Sequence, residues 1–271
     1  MEGDRDMKRV AITVLSLLAG AALFAGLISP APFDVQFRDF PNAAPSRQFP
    51  LGTDDLGRDR LSRLLHGARV SLVMAPTAAL GATLIAALIG IGAGLAGGWI
   101  EKTVMLAADL FLSLPWMFLL LSMRAVLPLN TSPMASLAIT FALLSVLGWA
   151  GPSRVVRAAV NAVRYGGYLL QARAAGIEGT RLVLFHVLPN LKPVMRSQFW
   201  ISVPVFILAE ANLSLLGLGV AEPLPSLGTL LRELENYSVI GARPWMLAPA
   251  AFLLAVMICL QTLLPAQEGA R

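Results

Sequence analysis

Long apolar blocks alternate with polar segments along this chain. Apolar stretches fall at roughly 10–29, 72–98, 103–127, 134–153, 194–218 and 244–265, each close to the roughly 20 residues that cross a bilayer as a helix. A polar segment, 30–71, follows the first block, and another, 154–193, separates the fourth from the fifth. The pattern predicts an all-α polytopic membrane helical bundle with about six transmembrane helices. Residues 1–71 read as an anchor span plus an external loop, and 72–271 as the main transmembrane domain, with the 154–193 loop inside it. The first block, Val10 to Ile28, follows Arg5, Lys8 and Arg9 and has the outline of a signal peptide. Its length and the missing small-x-small cleavage site predict a retained anchor.

Composition agrees with this picture. The chain is 56% hydrophobic and 14% charged, against about 25% charged in soluble domains. The net charge of +5 is dispersed between apolar blocks, which reads as juxtamembrane Lys and Arg and not as a nucleic-acid surface. Basic residues ahead of the first block predict a cytoplasmic N-terminus, so that 154–193, with Arg154, Arg157, Arg164, Arg173, Arg181 and Lys192, also lies inside. Against that, the first loop carries Arg38, Arg47, Arg58, Arg60, Arg63 and Arg69 on the outside. The lone Cys259 excludes an internal disulfide framework.

Within the second block, Gly90, Gly94 and Gly98 make a small-xxx-small ladder that predicts close helix packing. The opening of the first loop, "SPAPFDVQFRDFPNAAPSRQFP", has too many prolines for regular structure. After it, Leu61, Leu64, Leu65, Ala68 and Leu72 fall at helical spacing. Asp54 or Asp55 is placed to cap that helix. It reads as an interfacial helix lying on the bilayer before the second block, its arginines toward headgroups and His66 at its surface.

No enzyme constellation assembles. The two histidines, His66 and His186, fall on opposite sides of the membrane in this topology, and no metal-ligand spacing exists. In "GGWIEKT", Glu101 stands where a phosphate loop needs glycine. No catalytic, cofactor-binding or metal residue is therefore expected. Charged residues inside the blocks are Asp109, Arg124 and Glu210. Asp109 and Glu210 are candidates for a solute path, whereas Arg124, near a boundary, is expected to snorkel.

The 154–193 segment is long for a connector. Val155 to Ala175 is helix-forming with a weak point at Gly166-Gly167, Gly176 suits a positive-φ bend, and a second short helix should run from about Gly179 to Val187, ended by Pro189. Ile177, Leu182 and Phe185, beside Arg173 and Arg181, are expected to be exposed and to dock into a groove on a soluble partner.

Here the residues carry a resemblance. "ARAAG…HVLPN", from Ala172 to Asn190, resembles the cytoplasmic coupling loop of ATP-binding-cassette importer permeases, in particular those of the dipeptide/oligopeptide/nickel family. "LGTDDLGRDRLSRLLHGARVSL", "AGGWIEKTVMLAADLFLSLP" and "ILAEANLSLLGLGVAEPLPSLG" resemble three further blocks of that family, in order. Together they cover most of 51–245 and point to the second of its two permease subunit types. Departures are Gln171 for the first alanine of the coupling motif, Gly166-Gly167 at a commonly acidic place, Leu215 and Leu227 for aromatics, and an unusual C-terminus.

The resemblance implies a type I importer-permease fold in a bacterial-type cytoplasmic (inner) membrane. It implies a permease subunit that imports peptides or, alternatively, nickel chelates or another small solute; a stand-alone channel or ion-driven carrier would need no such loop. It implies a second permease, two ATPases holding the ATP and Mg, and an external binding protein. By the same resemblance, contact with the ATPase falls to Ala172, Arg173, Ala174, Gly176, Ile177, Arg181, Leu182, Phe185, His186, Leu188, Pro189 and Asn190.

Overall fold

The computed structural model describes residues 2–128, 131–164, 166–235 and 243–264. The side chains of Glu2, Asp4, Tyr168, Leu170 and Arg173 lie outside the described residues, as do residues 265–271 of the atypical C-terminus. Among the described residues the chain is helical, with no strand beyond one isolated bridge, Thr53 to Asp59.

The helices are α1 (Glu2–Leu23), α2 (Ala25–Ile28), α3 (Arg60–Ala96), α4 (Gly98–Ser113), α5 (Trp116–Val126), α6 (Pro133–Leu147), α7 (Ala150–Arg164), α8 (Gly167–Ala174), α9 (Gly179–Leu182), α10 (Leu188–Leu215), α11 (Leu227–Arg232) and α12 (Ala248–Leu263). A π-helical turn, Val183–Val187, joins α9 to α10. Four described helical stretches are long and apolar enough to cross a membrane: Arg60–Ala96, Pro133–Arg164, Gly179–Leu215 and Pro244–Leu263. The pair α4 and α5 would be a fifth if counted as one span. The first expected span is divided at Phe24 between α1, which also carries the charged N-terminus, and α2.

Three expectations change. The third block is not a straight span: α4 and α5 meet at 85°. Pro115 has no N–H to continue the ladder and pushes Leu114 to an extended conformation, φ −82° and ψ 138°. Second, no separate interfacial helix precedes the second block, because α3 runs unbroken from Arg60 through Pro76. Its cap is Asp59, whose Oδ2 accepts from the Ser62 N–H at 2.7 Å, and not Asp54 or Asp55. Third, Pro189 does not end the helix that begins at Gly179, which continues to Leu215. The π turn, Val183–Val187, immediately precedes Leu188 and Pro189. Its wider backbone pairing accommodates the N–H that proline lacks.

The chain divides into two compact units. The first comprises residues 1–75, 124–141 and 204–271. There α1 packs along α12, and α11 lies against the same helix. The second comprises 76–123 and 142–203. Its core is Ala87 and Ile91 of α3, Val156 and Val160 of α7, Leu169 and Ala172 of α8, and Leu182, Val187 and Leu191.

Candidate functional site

In the second unit, the approach of α3 to α7 begins with two glycines. A Cβ added at Gly90 would lie 2.6 Å from the Ser153 carbonyl oxygen, and one at Gly94 2.7 Å from Val160 Cγ1. Helix packing without a solvent-driven force depends on such close backbone approach. Gly98 does not share this role: nothing comes within 4 Å of its Cβ position. With Gly97, at φ +66°, it makes the turn from α3 into α4. The Arg164 guanidinium donates to the Gly94 carbonyl at 3.0 Å. Next to it, Glu101 of α4 accepts from Arg157 and, at 2.7 Å, from Asn161 of α7. Farther along, Asp109 pairs with Arg154 at 2.9 Å, both about half exposed, beside a cavity of about 680 Å³ lined by Met105, Leu112 and Gly151.

From this scaffold the 154–193 segment projects. Gly176 takes φ +77°, a conformation with a Cβ clash for other residues, and the chain turns from α8 into α9. After the turn, Leu182, Val187 and Leu191 point into the core and fix the rotation of the helix. Leu184 and Phe185 are thereby turned outward, 56% and 67% exposed. Arg181 is exposed beside them, as are Pro189 and Asn190. Asn190 Nδ2 donates to the His186 carbonyl at 2.7 Å.

The expectation that Leu182 is exposed is corrected: it is 5% exposed and belongs to the core. Ile177 and Leu188 are partly buried and packed on that core, and Ala172 is buried within it. Ala174 is exposed and His186 half-buried; the side chain of Arg173 lies outside the described residues. Leu184, which sequence reading passed over, joins Phe185 on the exposed face. The signal was the five-residue step of the π turn, which a 3.6 period does not reveal.

The first unit holds a charge network that sequence reading missed. Asp54 accepts from the Arg58 backbone N–H at 2.8 Å, from Arg58 Nε at 2.7 Å and from the Arg63 guanidinium. Glu222 takes Arg58 Nη1 at 2.5 Å and Arg63 Nη2 at 3.0 Å. Glu233 takes Arg60 Nη1 at 2.5 Å. Asp54 and Arg63 are fully buried. The arginines expected at lipid headgroups therefore sit inside, tying residues 54–63 to residues 222–233.

Burial alone would raise the Asp54 carboxyl, but the backbone and side-chain hydrogen bonds of Arg58 and the charge of Arg63 outweigh it and hold it below its ordinary value of 3.8. Burial also opposes the Arg58 charge, yet its bonds to Asp54 and Glu222 raise it further above its ordinary range. For Glu233 burial wins over the attraction of Arg60 and Arg63, and its carboxyl is raised. His66 is not a free surface residue: its Nδ1 lies 2.9 Å from the Ser62 carbonyl, and its ring lies 4.9 Å from that of Phe33.

Glu210 is enclosed in the same unit. Its Oε1 accepts from Ser226 Oγ at 2.6 Å and Ser214 Oγ at 2.7 Å, and its Oε2 lies 3.5 Å from Ser71 Oγ. Ser226 in turn caps α11 by accepting from the Thr229 N–H at 3.1 Å. Glu210 thus anchors the loop that brings Glu222 and Glu233 to the arginines. Gly228 permits the approach, since a Cβ there would fall 2.6 Å from Ser214 Cβ.

Residues 86–268 match the family described as "Binding-protein-dependent transport system inner membrane component". The chain belongs to this family. As a permease of this kind it is 32% identical, over 93% of its length and 86% of theirs, to the oligopeptide transport system permease protein OppC of Mycobacterium tuberculosis (strain ATCC 25618 / H37Rv). It is 31% identical over 94% of its length to the OppC of Bacillus subtilis (strain 168), covering 81% of that protein. To the di/tripeptide transport system permease protein DppC of Pseudomonas aeruginosa (strain UCBPP-PA14) it is 35% identical, over 82% of its length and 73% of that chain. The permease is a multi-pass membrane protein and a transport subunit.

Proposed function

We propose that this permease works in a peptide importer, pairing with a second permease and receiving solute from an external binding protein. Of two ATPases, which hold the ATP and Mg, one docks on the α8–α9 elbow of this chain. The observation that carries the ATPase contact is the outward face of Leu184 and Phe185, next to Arg181, on a segment whose opposite face is locked into the core. An apolar pair held rigidly outside the bilayer gains by burial, at about 25 cal/mol per Å² of apolar area, and the arginine suits acidic groups at a rim. Most of the contact residues that the resemblance implies thus separate by role, and Leu184 joins them. Arg181, Leu184, Phe185, Pro189 and Asn190 meet the partner. Ala172, Ile177, Leu182 and Leu188 hold the shape, and Gly176 sets the bend. Asp109 stays the candidate for lining a path, and this chain binds no cofactor of its own.

Phe185→Asp should leave the chain folded but lower retention of the ATPase about tenfold or more, since the contact would bury an unpaired carboxylate. Co-purification from membranes containing all the subunits measures it. Unchanged retention would reduce the elbow to a connector and remove the importer mechanism with it.

This docking needs the N-terminus and the 154–193 segment in the cytoplasm, as the basic residues before α1 imply. With a membrane-impermeant thiol reagent added outside, Ser46→Cys should react and Thr180→Cys should not; the native Cys259 is buried. The reverse labelling would place the elbow away from any ATPase.

A further inference from the structure

Arg124, in the last turn of α5, is 1% exposed. Its place near the end of an apolar block predicts snorkelling to a membrane boundary, and it does not snorkel. Nη2 donates to Ser136 Oγ at 3.1 Å, Nη1 reaches the Pro128 carbonyl only at 3.5 Å, and buried Nε has no partner among the described residues. Among the described residues no carboxylate pairs with it. Burial makes such a cation favour an anionic neighbour.

Arg124 lines a cavity of about 180 Å³ together with Ser136, Ser214, Thr229, Glu222 and Arg232. Arg232 likewise has no carboxylate partner among the described residues. Glu222 does not neutralise the pair, because its two oxygens are taken by Arg58 and Arg63. The cavity therefore has two arginines in its lining to meet an anion, while the hydroxyls of Ser136, Ser214 and Thr229 already donate to the Gly219 carbonyl, Glu210 and the Ser226 carbonyl. Its volume is that of about six waters at roughly 30 Å³ each, enough for a carboxylate and the atoms next to it and too little for a whole peptide. Planar guanidinium groups suit carboxylates by paired hydrogen bonds.

We infer that Arg124 and Arg232 form a site for the terminal carboxylate of the transported peptide. The inference rests on the peptide reading above. A lipid phosphate is disfavoured because the cavity wall encloses Arg124, which does not reach an outer surface.

The test uses the complete importer, with its partner permease, ATPases and binding protein, in proteoliposomes. A short peptide and its C-terminal amide are supplied at concentrations giving equal uptake by the unaltered complex. Arg124→Gln and Arg232→Gln should each slow the free acid about tenfold and the amide less than about twofold, and Arg124→Lys should restore part of the difference. Arg232 is exposed, so its variant keeps the comparison open if Arg124→Gln fails to assemble. Equal slowing of acid and amide, or no slowing of either, overturns the carboxylate site while leaving the peptide reading in place. Absence of uptake of both peptides by the unaltered complex overturns the peptide reading, and this assignment with it.

Discussion

Asp54→Asn is expected to strip the permease of much of its folding stability. Asp54 is the shared acceptor of Arg58 and Arg63, and Arg63 is fully buried with it. Asparagine keeps the shape and removes the charge, which leaves Arg58 with Glu222 alone and Arg63 with Glu222 and, at 3.7 Å, Glu233. Removing one partner of a buried ion pair costs about 3–5 kcal/mol, a large share of the roughly 5–15 kcal/mol that holds a domain. The yield of monodisperse protein and its thermal midpoint in detergent should both fall sharply. Asp55→Asn, one residue away and exposed, should change neither. If the two variants behave alike, the network contributes nothing to stability.

Acid should mimic the substitution only at low pH. The folded-state carboxyl of Asp54 lies below its ordinary value. Its stabilisation is therefore fully present above the unfolded value of about 4 and is lost as pH falls through the lower folded one.

The second large effect is expected at Leu182→Asp. Leu182 is 5% exposed among Val156, Val160, Leu169 and Val187. A carboxylate there has no hydrogen-bond partner and costs several kcal/mol, added to the roughly 2–5 kcal/mol lost with the leucine side chain. The elbow should lose its fixed shape, and limited proteolysis should cut within 166–191 in the variant and not in the unaltered protein. Phe185→Asp, three residues on, should stay protease-resistant and lose only the ATPase. A Leu182→Asp protein as resistant as the Phe185→Asp protein would show that the two positions face the same way, against the burial of Leu182.

Leu182 and Phe185 part in a way that their spacing along the chain does not show. Both are large, apolar and in one short helix, and a 3.6 period assigns both to one docking face. The π turn over Val183–Val187 shifts the register, so one turns into the core and the other out. Arg60 and Arg63 show the same limit. Their loop position between apolar blocks reads as a headgroup contact, and nothing near them in sequence announces Glu222 or Glu233, about 160 to 170 residues away.

What the sequence by itself determined was the membrane class, through blocks of apolar residues too long for any other use. It also determined the positive-φ bend at Gly176, because that conformation is a local property of the backbone, and the close packing at Gly90 and Gly94, because small residues mark such contacts. Four ordered motifs pointed to the permease family. Only the tertiary structure decided which charges are neutralised and which are left over: Arg63 met its carboxylates, Glu210 its serines, and Arg124 no anion among the described residues. Coulomb and hydrogen-bond partners act through space at a few ångströms, and distance along the chain carries no record of them.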